Sequence, residues 1–114
     1  MTNPADFFTP AAMVPLEKLA QITQRFEFLE AKLNAGASPV EIATLSREYS
    51  DLKPVADEIA AYRQALDDLA EAEIMLADPE MRELAEDEMP RLKARIPEME
   101  GRLQIALLPK DAAD

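Results

Sequence analysis

Apolar positions recur along this chain at helical spacing. Leu19, Ile22, Phe26, Leu29 and Leu33 follow a 3-4-3-4 pattern, which draws one stripe along a helix predicted over 15–34. Phe28 falls off the stripe and is expected to pack at its edge. Asn34-Ala35-Gly36 supplies the stop, with Gly36 free to take the left-handed conformation that closes a helix. Ser38-Pro39-Val40-Glu41 restarts the chain as a capping box, with Ser at the cap, Pro at the first helical position and Glu two residues further on. Ile42, Leu45, Tyr49, Leu52, Ala56 and Ile59 then repeat at 3-4-3-4-3, and Leu66, Leu69 and Leu76 carry the stripe on with some drift. The spacing predicts one helix over 39–77. Pro54 removes a hydrogen bond and crowds the preceding turn, yet the stripe crosses it in phase, which favours a bent continuous helix over two helices.

The next stretch organises the rest. Leu76-Ala77-Asp78-Pro79-Glu80 reads as the end of one helix, a tight corner and the start of another. Asp78 suits an N-cap, Pro79 the first helical position, and Glu80 and Glu83 the positive end of the helix dipole. So short a corner makes the flanking helices antiparallel. Met81, Ala85, Leu92, Ile96, Met99, Leu103 and Ala106 form the returning stripe of a helix predicted over 79–107, interrupted by Glu88. Pro90, Pro97 and Gly101 are expected to bend or weaken it. The fold class that follows is all-α: an elongated antiparallel helical hairpin or three-helix bundle of coiled-coil-like character. Residues 1–14, with Pro4 and Pro10, read as a flexible N-terminal arm that Phe7, Phe8 and Met13 tack onto the core. Residues 15–108 form the helical domain. Residues 109–114 read as the start of a linker to further domains.

Composition narrows the chemistry. The chain of 114 residues carries 23 acidic and 12 basic side chains, a formal net charge of -11. That balance argues against direct nucleic-acid binding, which needs clustered Lys and Arg, and against anionic membrane surfaces. There is no Cys and no His, so thiol nucleophiles, disulfides, Cys/His zinc sites and imidazole catalysis are excluded. Without His the carboxylate di-iron bundle site fails. Two glycines leave no phosphate-cradling loop, and no apolar run approaches the ~20 residues of a membrane span. No cofactor or metal is expected. Met75, Met81, Met89 and Met99 read as helix core and edge, and Arg47, Arg63 and Lys93 as partners of neighbouring carboxylates. The residues alone therefore describe an acidic helical domain for binding or spacing, without catalytic equipment. The acid is concentrated at the corner, where Glu80, Glu83, Glu86 and Asp87 are candidate partner-binding residues suited to a basic protein surface. A merely solubilising face is the competing reading.

Three stretches go further. Leu45-Ser46-Arg47-Glu48-Tyr49, the corner Met75-Leu76-Ala77-Asp78-Pro79-Glu80-Met81-Arg82-Glu83-Leu84-Ala85 and the ending Leu107-Leu108-Pro109-Lys110-Asp111 occur in this order. Together they resemble the N-terminal domain of bacterial peptide chain release factor 1, the class I type that reads UAA and UAG. The resemblance covers about residues 15–111. It implies a cytoplasmic protein of translation termination whose first domain is a non-catalytic helical appendage. That domain lies toward the GTPase-associated region of the large ribosomal subunit and takes part in interplay with the class II release factor GTPase. The family's Pro-x-Thr codon-reading motif and its Gly-Gly-Gln hydrolytic loop lie in later domains and have no counterpart in this sequence, so no catalytic residue is carried over. Pro90, Pro97 and the N-terminal arm depart from the family's helical pattern. The alternative from another class is a self-associating coiled-coil adaptor with no role in translation, given the near-heptad stripes.

Overall fold

The computed structural model describes residues 14–108. The expected N-terminal arm, save Val14, and the expected linker start at 109–114 lie outside the described residues, as do Phe7, Phe8 and Met13. Three helices follow in order: α1, Leu16–Ala35; α2, Pro39–Met75; and α3, Arg82–Ala106. The all-α class is thus borne out, and the described residues contain no strand. α2 is one helix through Pro54, and α3 is one helix through Pro90 and Pro97. A lost hydrogen bond at each proline is outweighed by apolar positions that stay in phase across it.

The chain divides into two compact units, Met1–Ile59 and Ala60–Asp114, with the boundary inside α2. In the first, α1 ends at Gly36, whose φ of 87° is the left-handed conformation that a side chain would strain. Three residues later α2 begins with the capping box. Glu41 N–H donates to Ser38 Oγ, and Ser38 N–H donates to Glu41 Oε1, both at 3.3 Å. These bonds hold the Glu41 carboxyl below its usual range, the backbone N–H contributing most. Val14, Leu19 and Leu29 are fully buried, Ile59 nearly so, and Ala56 of α2 is also buried. Phe26 stacks on Tyr49 at 4.8 Å between centroids. Beside them Arg25 forks onto Glu48, with Nε and Nη2 donating at 2.6 and 2.7 Å. That fork lowers the Glu48 carboxyl. Phe28 is not edge-packed as expected. It is 46% exposed, and the Arg25 guanidinium and Lys32 ammonium stand over its ring at 5.2 and 6.0 Å.

The second unit pairs the end of α2 with α3. Its core is Tyr62, Ala65 and Ala72 from α2 and Ala85, Leu92, Ile96, Met99 and Leu103 from α3. The α3 stripe is therefore largely as its spacing indicated, except that Met81 is exposed and Ala106 faces solvent. The α2 stripe differs more. Leu66, Leu69 and Leu76 are half-buried, whereas Tyr62 and the two alanines are fully covered. Alanine brings two helix backbones close, so the small residues occupy the seam and the leucines flank it. Glu100 is the buried charged residue of this core. Tyr62 Oη donates to its Oε2 at 2.8 Å. Burial, then this bond, push the Tyr62 phenol well above its usual range.

Candidate functional site

The corner at 76–81 is built differently from the direct helix start that Asp78-Pro79 suggested. α2 tightens before it ends: Leu76 N–H still donates to Ala72 O, but Ala77 and Asp78 N–H donate to Ile74 O and Met75 O, three residues back. The expected helix end at 77 therefore becomes Met75, followed by a narrow turn. Asp78 does accept from a free N–H, since Glu80 N–H donates to its Oδ1 at 2.9 Å. Its carbonyl then accepts from both Met81 N–H at 3.0 Å and Arg82 N–H at 2.8 Å. The capped turn is consequently a separate single turn, and α3 starts at Arg82 rather than at Pro79.

All four candidate residues lie in this region of the second unit, and all are exposed. Glu80 belongs to the turn, Glu83 to the first turn of α3, and Glu86 and Asp87 to the next. Glu86 is 3.6 Å from Arg82 and Asp87 is 3.3 Å from Arg91, each an i,i+4 ion pair on the surface. Such exposed pairs add little stability and leave the carboxylates in water. The remaining ion pairs among the described residues join Arg25 to Glu48 and Lys53 to Asp57. Arg47, Arg63 and Lys93 are exposed and outside these pairs, contrary to expectation, because holding two long side chains together at the surface gains little.

Beside the turn lies an open cleft of about 320 Å³ lined by Asp68, Glu71, Ala72 and Met75 of α2 and by Leu84 and Glu88 of α3. Its lining combines three carboxylates with three apolar side chains. Leu84 is 53% exposed, and Ile74 and Met81 nearby also face solvent. The sequence indicated the acid but not the cleft. Glu88, which interrupts the returning stripe, is half-buried and lines this cleft. Met81 accordingly belongs to the surface of the corner, Met75 and Met89 are half-buried, and Met99 is core. Among the described residues no group of three acidic side chains is arranged to hold a metal ion. None of the described helices is long and apolar enough to cross a membrane.

Comparison with known proteins adds the family. The PCRF domain model matches residues 22–114. Among similar curated proteins, the Peptide chain release factor 1 of Dinoroseobacter shibae is 70% identical over 102 residues, which is 90% of this chain and 29% of that protein. The Peptide chain release factor 1 of Jannaschia sp. is 64% identical over 104 residues, covering 91% of this chain and 29% of the relative. That of Ruegeria pomeroyi is 61% identical over 102 residues, covering 90% and 29%. The chain therefore spans less than a third of the length of these relatives. No solved structure matches it.

Proposed function

The chain belongs to the PCRF domain family, and from that membership we propose that it is the helical first domain of a class I peptide chain release factor. The factor acts in translation termination at UAA and UAG codons in the cytoplasm. The observation that carries the reading is the 70% identity to a protein named Peptide chain release factor 1, held over 90% of this chain. Peptidyl-tRNA hydrolysis belongs to parts of the factor beyond this chain, which has neither a Gly-Gly-Gln loop nor a Pro-x-Thr motif. Its own role is docking, toward the GTPase-associated region of the large subunit and the class II release factor GTPase. The corner is the end presented. From residue 67 to residue 88 ten carboxylates stand against Arg82 as the one base. Such a surface repels RNA phosphates and steers toward a basic protein face, where complementary charge chiefly raises the association rate.

The test is a complete factor carrying Glu80→Lys, Glu83→Lys and Glu86→Lys. All three positions are exposed, so the fold should persist. Association with ribosomes should slow and its salt dependence flatten. Unchanged binding and recycling kinetics at low salt, in a variant that melts like its parent, would overturn the docking role. In parallel, this chain alone, added to ribosomes programmed with a stop codon, should release no formyl-methionine above background.

A further inference from the structure

The cleft beside the corner has a composition that simple acidity does not require. Three carboxylates, Asp68, Glu71 and Glu88, share its lining with Ala72, Met75 and Leu84. Leu84 keeps 53% of its surface in water, although Ala85 next to it is fully buried. The volume, about 320 Å³, lies at the lower end of the range for ligand pockets and accommodates a few side chains rather than a large ligand.

We propose that this cleft seats a basic amphipathic helix of a partner protein, with an apolar anchor against Met75 and Leu84 and flanking Lys or Arg against Asp68, Glu71 and Glu88. The inference rests on the docking reading and specifies what is docked. Charge selects the occupant. A second copy of this chain brings a further net charge of -11 and the same acidic corner, and an RNA brings phosphates. A helix with apolar residues at i and i+3 or i+4 and cations beside them complements both the apolar and the acidic side chains of the lining. Apolar contact then supplies residence, and the carboxylates supply orientation and encounter rate.

The experiment uses the complete factor and two probes. One is an amphipathic helical peptide of Leu and Lys. The other keeps every Lys and replaces each Leu by Gln. The Leu/Lys peptide should bind the parent more tightly than the control. Leu84→Ser should weaken the Leu/Lys peptide roughly tenfold, as loss of about half a leucine's burial implies, and leave the control unchanged. Glu71→Gln with Glu88→Gln should flatten the salt dependence for both peptides. If Leu84→Ser lowers the melting temperature, a spin-labelled Leu/Lys peptide reads the contact in the unsubstituted factor. It should broaden the methyl signals of Met75 and Leu84 and spare those of buried Leu92 and Leu103. Equal affinity of the two peptides, or methyl broadening away from Met75 and Leu84, overturns the cleft. The two readings fail separately. If corner charge reversal slows ribosome association while Leu84→Ser leaves both peptide binding and association untouched, the docking surface stands and the cleft is refuted.

Discussion

Replacing Tyr62 by Phe removes one oxygen from the core of the second unit and isolates a carboxylate. Tyr62 is 1% exposed and Glu100 is 6% exposed. Their 2.8 Å hydrogen bond is the one recorded for the Glu100 side chain among the described residues. Phe fills nearly the same volume, so the cost is electrostatic rather than a cavity. A hydrogen bond to a charged group contributes about 1.5–3 kcal/mol, and the carboxylate left behind is still desolvated. The expected loss is therefore about 2 kcal/mol, which for a domain of this size lowers Tm by roughly 8 °C. Glu100→Gln keeps an acceptor for the hydroxyl and should cost less than Tyr62→Phe. Glu100→Met removes the buried charge, and in that background Tyr62→Phe should be nearly neutral, giving a coupling of more than about 1 kcal/mol in the double-mutant cycle. The pH dependence has a definite sign. Because the folded state holds the Tyr62 phenol above its usual range, the stability linked to its proton is fully present below the unfolded pKa of about 10. It is lost as pH rises above that value. Tyr62→Phe should lack this alkaline decline. Thermal melts of the four variants at neutral and alkaline pH provide the measurement. A cost below about 0.5 kcal/mol for Tyr62→Phe, or the same cost with and without Glu100, would show that the bond has no energetic role.

Leu103 is completely buried, so Leu103→Ala should destabilise by about 2–5 kcal/mol, read by chemical denaturation. Gly36→Ala meets no atom within 4 Å but must hold a φ of 87°, and the expected cost is about 1 kcal/mol from backbone strain alone. Ser38→Ala removes one arm of the capping box and should cost about 1 kcal/mol, visible as fraying at the start of α2 in amide exchange. The Glu41 carboxyl is held below its usual range. Its share of that stability is present above the unfolded pKa of about 4.3 and fades as pH falls through the lowered value, so Glu41→Gln and the parent should converge in acid.

The division between what the sequence determines and what tertiary packing decides follows particular residues. The helical class, the capping box at Ser38 and Glu41 and the left-handed Gly36 rest on interactions within a few residues of one another. Local sequence is sufficient for these, and the structure bears them out. Continuity through Pro54 was legible because Leu52, Ala56 and Ile59 keep one period across it. The start of α3 was not legible. Asp78-Pro79 signals a cap in either geometry, and only the bonds from Met81 and Arg82 to Asp78 O show that one separate turn intervenes. The seam of the second unit also required the partner helix. Hydrophobicity favours Leu66, Leu69 and Leu76, but close approach of two backbones favours Ala65 and Ala72, and which applies depends on the spacing between helices. Nothing near Glu100 in the sequence marks it as buried, and Tyr62, 38 residues away, supplies its donor. At the corner the excess of carboxylates is a property of composition and needed no fold. The cleft exists only because α2 and α3 bring Asp68, Glu71 and Met75 alongside Leu84 and Glu88, two sets that each keep helical spacing but that no sequence period connects to one another.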